Sequence, residues 1–325
     1  MAQTFFAHEA DDRWIALASA TDPDNPFLVA TYLHAQRALG RESWLLGIGT
    51  ESMAESAALC FIERGRVRRS LIVPSSPPVD TKSEFWPGLD DFCRKHGVTD
   101  IDISTFATPA SVIPTMRGET TRVRRTEYAM SLAGSDLWEK VSKSHRDRIK
   151  KGRKNGLVVR REATDAAIDA HVALHVNSMD RRKLRGEDVS LEFERSTSAA
   201  LLTSGAAQLF QAMLGDHVAS SLLVLRSSKG AYSESSGNST EGMKMGASHF
   251  LRYETAVALQ AEGIEMFYLG GAREHEEGLR AYKAGFGTIP IDTDAVTAYI
   301  GGSLRRGLSS AMETLQAFTK TGGAR

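Results

Sequence analysis

The chain has 325 residues, 42% hydrophobic and 25% charged, with 40 Lys and Arg set against 40 Asp and Glu. Those are ordinary globular proportions, and at about 100–200 residues per domain the length suggests two domains, each able to bury a core. Zero net charge leaves no global field for a polyanion, so nucleic acid would have to be held by a local patch.

Cys60 and Cys93 are the only cysteines, and neither lies in a C-x-x-C. A zinc site or disulfide framework therefore has no support, and a reduced cytoplasm fits. No basic stretch followed by a long apolar run opens the chain, and no window approaches ~20 apolar residues. Neither a signal peptide nor a membrane span is expected, so a membrane-linked substrate would be met from the surface.

Asn25-Pro26 caps a predicted helix over Phe27–Leu39, stopped at Gly40. Strand-like runs follow at Ser43–Ile48, Ala57–Ile62 and Ser70–Val73, and Pro74, Pro77 and Pro78 then break the chain. Trp86, Leu89, Phe92 and Cys93 mark one helix face, and Val98–Ile103 reads as a strand. A Thr- and Pro-rich loop over Ser104–Thr121 leads into the second half.

There, Glu127–Leu132 is a predicted strand, and Leu137–Lys154 a helix or helix pair ended by Asn155-Gly156. A strand at Leu157–Arg161 precedes a helix that Thr164 caps and that runs to about Arg181. Ala207–Leu214 and His217–Leu225 flank Gly215-Asp216 as a hairpin, and Ala231–Ser235 is the next strand. Then come a helix (Gly246–Glu262), a strand (Glu265–Leu269), a short helix (Glu277–Ala284), a strand (Thr297–Ile300) and an amphipathic helix (Leu304–Phe318), with Thr321–Arg325 as a loose tail. This order predicts an α/β fold with a mixed sheet, given in shorter form by the first half: two related domains side by side, 1–128 and 129–325.

Between Ser142 and Arg161 stand nine Lys or Arg, Arg146 and Lys150 among them, against one acid, Asp147. The segment reads either as a phosphate site for tRNA or a nucleotide-linked substrate, or as a solvated basic face. Gly242, Gly246 and Ala247 open an apolar helix that includes Ser248. Backbone N–H groups there could approach a phosphate, or the stretch is a plain glycine turn; it is not a Walker loop. Lys283, one turn before Phe286, could stabilise an oxyanion or be an exposed lysine near a helix end. His171 and His175 are four apart on a predicted helix, but no further ligand completes a metal set. Glu274-His275-Glu276 reads either as an acid–base cluster or, the better reading, as a solvated loop, and no Gly-x-Ser-x-Gly elbow is present, which disfavours a covalent acyl-enzyme.

Taken together, the pieces resemble a known family. Ser144–Gly156 resembles the S-x-x-x-R-x-x-I-x-x-x-x-x-x-G helix of Fem-type peptidyltransferases and their GNAT relatives. Tyr232–Gly237 resembles the family's strand and loop, and Gly246–Leu251 with Glu254 and Ala256 its helix start. Tyr268–Gly271, Gly278-Leu279 and Tyr282–Gly287 resemble its Y-D-x-G-G … G-L-x-x-F-K-x-G-F-G ending. The agreement covers roughly Ser131–Ile300; the first half is similar only loosely. Leu269 stands where the family often has Asp, Tyr282 where it has Phe, and no coiled-coil arm is inserted.

The resemblance implies two GNAT-like domains and direct attack of an acceptor amine on an activated acyl carbonyl, usually an aminoacyl ester of tRNA. It implies Lys283 as the group that stabilises the intermediate, Tyr282 and Phe286 as cleft residues, and Arg146 and Lys150 as phosphate contacts. Glu234, on the expected central strand beside Tyr232, is the candidate base. No permanently bound cofactor is expected: the co-substrate is aminoacyl-tRNA or acyl-CoA, the latter with its pyrophosphate at Gly242–Ser248. A catalytically silent ligand-binding module on the same fold is a further alternative.

Overall fold

The structure, a computed structural model, describes residues 4–50, 53–107, 112–134, 136–187 and 194–302. From the N-terminus, β1 (Thr4–Glu9) leads to α1 (Asp12–Ser19), α2 (Ala30–Ala38), β2 (Glu42–Thr50), β3 (Met53–Arg64) and β4 (Arg69–Val73). Then follow α3 (Phe85–Lys95), β5 (Asp100–Ser104), β6 (Glu119–Ser131), α4 (Leu137–Lys140), α5 (Lys143–Lys154) and β7 (Val158–Glu162). The helices α6 (Asp165–Leu184) and α7 (Arg195–Thr203) precede β8 (Ala207–Leu214), β9 (His217–Arg226) and β10 (Gly230–Asn238). Last come α8 (Thr240–Met245), α9 (Ala247–Ala261), β11 (Met266–Ala272), α10 (Glu277–Ala284) and β12 (Ile289–Tyr299).

These elements form two compact units. One contains the described residues of Met1–Ala18, Arg41–Val123 and Asp294–Arg325; the other contains those of Ser19–Gly40 and Arg124–Thr293. The first unit's strands run in the order β1-β2-β3-β4-β5-β12, and only the β4/β5 pair is parallel. The second unit repeats the plan as β7-β8-β9-β10-β11-β6, with only β10/β11 parallel. In each, helix-bearing segments join the first strand to the second and the fourth to the fifth, and the latter is the crossover that a parallel pair requires. The expected α/β class with mixed sheets and two related domains is the architecture found.

The expected division at residue 128 is not the division of the compact units. Residues 19–40 belong with the second unit because α2 packs on α7. The chain from Asp294 returns to the first, where β12 pairs with β5 from Ala295↔Ser104 to Tyr299↔Asp100.

Alternating apolar residues build each core. In the first unit, Leu46, Cys60, Ile62, Leu71 and Ile103 from the strands meet Phe85, Leu89, Phe92 and Cys93 of α3. In the second, Met130, Phe210, Leu222, Val224 and Phe267 meet Ile149 of α5 and Phe250, Leu251 and Leu259 of α9.

Helix starts follow local capping. Ser142 Oγ accepts from His145 N at the start of α5, and Thr164 Oγ1 accepts from Ala167 N at 3.2 Å at the start of α6. Gly156, with φ of +77°, lets the chain turn out of α5.

Several expectations differ from the outcome. The helix expected over Phe27–Leu39 begins at Ala30, and the Thr- and Pro-rich loop gives way to β6 at Glu119. β12 begins at Ile289, well before the expected Thr297. β1, α1 and α7 carried no recognised signal. The expected helix over Leu304–Phe318 and the tail lie outside the described residues. No helix among the described residues is long and apolar enough to cross a membrane.

Candidate active site

The site begins where two central strands part. Parallel pairing of β10 with β11 covers only Gly230–Tyr232 against Met266–Tyr268. Beyond those residues, β10 shifts register against β9 between Ser233 and Ser235, and β11 shifts against β6 between Tyr268 and Gly271. An irregularity of this kind bends its strand and re-aims a side chain. Gly270 supplies the positive φ, +79°, that the β11 kink needs. A cavity of about 1000 Å³ opens at the split, walled by Tyr232–Ser236 of β10, Leu269–Gly271 of β11 and side chains of α6, α9 and α10.

Lys283 enters this cavity from the last turn of α10 and is only 6% exposed. Its Nζ donates to the Gly271 carbonyl at 2.6 Å. Burial lowers its pKa from 10.5 to about 7; Arg252 adds to the shift, while Glu127 and Glu276 oppose it. A Cβ on Gly270 would lie 3.5 Å from this Nζ and 3.7 Å from the Tyr232 hydroxyl, so both polar atoms converge on the bare backbone of Gly270.

Glu234 occupies the β10 irregularity and lines the same cavity. Its side chain is open to the cavity but otherwise enclosed by protein, and this desolvation raises its pKa to about 7. Glu127 of β6 is the cross-strand partner of Gly271 and is buried, with Oε1 unpartnered among the described residues. Burial raises it to about 7 against the pull of Lys283 and Arg125.

Of the other residues singled out in the sequence, Tyr232, Ser248 and Tyr282 line the cavity. Tyr232 packs its ring edge-on to Phe27 at 5.1 Å, and burial raises its hydroxyl well above 10. The Tyr282 hydroxyl donates to the Ser248 carbonyl at 3.2 Å and accepts from Arg252 Nε at 3.4 Å, tying α10 to α9.

The remaining candidates stand elsewhere. Phe286 is fully buried in the core and packs on His145 and Tyr282. Arg146 donates to the Trp138 carbonyl at 3.3 Å, and Lys150 is exposed over the Trp138 ring; neither lines the cavity. Gly242, Gly246 and Ala247 are also absent from the lining. The stretch read as a glycine loop is helix α8, where a Cβ at Gly242 would meet the Ala219 carbonyl oxygen at 2.2 Å. Gly246, with φ of +81°, forms the joint between α8 and α9, and Ala247 is buried. His171 lies between the Ser221 and Ser235 hydroxyls at 2.8 and 2.9 Å. Among the described residues, no group of three or more side chains is arranged to hold a metal ion.

Sequence reasoning missed Arg252, Glu127 and Arg182. Arg252 carried a signal: it stands four residues before Ala256 and seven before Leu259, a lone charge on the apolar face of α9. Glu127 and Arg182 carried none, since their surroundings are made by distant strands.

Residues 139–284 match the acetyltransferase (GNAT) domain family. No curated protein sequence matches the chain. Among solved structures, that of FemX superposes with a TM-score of 0.66 at 12% identity, covering 89% of this chain and 96% of that one. A tandem GNAT protein from the clavulanic acid biosynthesis pathway gives 0.57 at 13% identity, covering 93% and 100%. The C-terminal domain of a putative lysylphosphatidylglycerol synthetase from Agrobacterium fabrum gives 0.55 at 17% identity, covering 92% and 95%. At these identities the likeness is one of fold, and the fold is that of two GNAT-like domains.

Proposed function

We propose that the protein is an acyltransferase that forms an amide bond, moving an aminoacyl group from aminoacyl-tRNA onto an amine. The observation that carries this reading is one cavity holding Lys283 and Glu234 at the split between β10 and β11. The match of residues 139–284 to the GNAT domain supports acyl transfer, and the resemblance of the sequence motifs to Fem-type enzymes supports an aminoacyl ester as donor.

The chemistry follows from the groups present. Glu234 takes a proton from the acceptor's ammonium, freeing the nitrogen lone pair. The nitrogen attacks the ester carbonyl; a C–N bond forms and the carbonyl oxygen becomes an oxyanion. Lys283, cationic at this stage, stabilises that charge in a site partly screened from water. The C–O bond to the ribose then breaks, the departing oxygen takes the second proton from the attacking nitrogen, and the amide remains, with Glu234 releasing its proton to solvent. Arg146 and Lys150 on α5 are the proposed tRNA phosphate contacts, Tyr232, Ser248 and Tyr282 shape the cavity, and Phe286 backs Tyr282 from the core.

A second reading, acyl-CoA as donor, rests on the GNAT match and on Ser248, at the start of α9, reaching the cavity. It places the pyrophosphate near Gly242, Gly246 and Ala247. The test is retention of donor: the protein is mixed with a total pool of charged tRNA and a panel of acyl-CoAs at one moderate salt concentration, and what stays bound is identified by mass. Enrichment of one aminoacyl-tRNA over its uncharged form, weakened by Lys150→Glu, is the expected result. Retention of an acyl-CoA with no preference for charged tRNA establishes the second reading instead.

A further inference from the structure

The charges lining the cavity do not all cancel within the protein. Arg182 pairs with Glu187 at 2.5 Å and with Glu276, and Arg185 pairs with Glu187 at 2.6 Å. Arg125, Arg252, Lys283, Glu234 and Glu277 line the cavity with no ion pair among the described residues, and of these Arg252 and Glu234 are two of opposite sign. Arg252 is 6% exposed, and its one side-chain hydrogen bond among the described residues is the 3.4 Å contact to the Tyr282 hydroxyl; its Nη1 is buried with no partner among them. Glu234 has no cation paired with it among the described residues.

A guanidinium carries five N–H donors, and burying it with so few acceptors is costly unless a ligand supplies them. The missing partner is an anion, and planar carboxylate oxygens fit the guanidinium fork. A molecule with both a carboxylate and an ammonium satisfies Arg252 and Glu234 together.

We infer that the acceptor is a free amino acid, its carboxylate held by Arg252 and its ammonium turned toward Glu234. This rests on the acyl-transfer reading and adds the class of acceptor to it. The amine that reacts is then the one whose proton Glu234 takes, and Arg252 sets which end of the molecule enters.

Calorimetric binding without any donor tests this at pH 7, with a panel of free amino acids, the corresponding carboxamides, and inorganic phosphate. The expected result is that at least one amino acid binds, and that its carboxamide binds about 10- to 100-fold more weakly, the range for a hydrogen bond to a charged group. Arg252→Gln loses a similar factor for the acid and little for the amide. Equal binding of acid and amide overturns the inference, as does phosphate binding with no amino acid binding, or no binding at all. Should Arg252→Gln fail to fold, the comparison of acid with amide on the unaltered protein decides alone. Because no donor is present, this test reads binding alone; an amino acid that binds here but is not acylated once aminoacyl-tRNA is supplied would count against the acyl-transfer reading and leave the binding assignment standing.

Discussion

Lys283 Nζ donates to the carbonyl of Gly271 at 2.6 Å, and Gly271 is paired across the strands with the buried Glu127. The lysine is thus anchored by backbone at the kink of β11, beside the carboxylate that most favours its charged form. Replacing Lys283 by Met should lower kcat by about 10²–10³-fold, the scale for losing one oxyanion donor. Arg at 283 should not restore the rate, because its planar fork cannot place one compact charge on the same carbonyl. Single-turnover rates of both variants check this; wild-type rate in the Met variant contradicts the role.

The rate should depend on pH as a narrow bell. Glu234 must be ionised to accept a proton and has its pKa raised to about 7, so activity rises with pH through that value. Lys283 must be charged and has its pKa lowered to about 7, so activity falls above it. Glu127 raises the Lys283 pKa, so Glu127→Gln should move the falling limb to lower pH and leave the rising limb in place. A pH profile of kcat/KM for the two proteins reads this; a falling limb that stays put removes Glu127 from the account.

Stability should carry the same groups with definite signs. Between about 7 and 10.5 Lys283 is neutral in the folded chain and charged in the unfolded one, so the unfolded state binds more protons and stability rises with pH. Between 4.5 and about 7 Glu127 keeps its proton only when folded, so its contribution falls as pH rises. Denaturant unfolding across pH should show that Lys283→Met loses the alkaline rise and Glu127→Gln loses the acid-side fall. Unchanged slopes would contradict the assigned burial.

Gly242 tests packing against ligand binding. A Cβ there would stand 2.2 Å from the Ala219 carbonyl oxygen, so Gly242→Ala should destabilise by about 1–3 kcal/mol, the usual cost of overpacking. Chemical unfolding measures it. Full stability with a selective loss of acyl-CoA binding would favour the pyrophosphate role.

Elements with strong local signals were legible. Thr164, Asn155-Gly156 and the Gly215-Asp216 hairpin each act through neighbours in sequence, and each stands where the pattern put it. Lys283, Tyr282 and Tyr232 were singled out through their motifs and Glu234 through its place on the expected central strand, and all four line one cavity. The α8 helix was hidden because Gly242 and Gly246 read as a loop, although close approach of the Ala219 carbonyl is what Gly242 serves. The discontinuous units were hidden because α2 meets α7, and β12 meets β5, across more than a hundred residues of intervening chain. Glu127 and Arg182 become notable only once β11 and α10 stand beside them, and strand pairing of that range has no local signature.

The most direct measurement is a single-turnover reaction of the full chain with a pool of aminoacyl-tRNAs and a mixture of free amino acids near pH 7, with products identified by mass. The account predicts one new amide joining an aminoacyl group to an amino acid, formed with the wild-type chain and lost about 10²–10³-fold with Lys283→Met. Donor left intact, or product formed equally by the Lys283→Met variant, would contradict it.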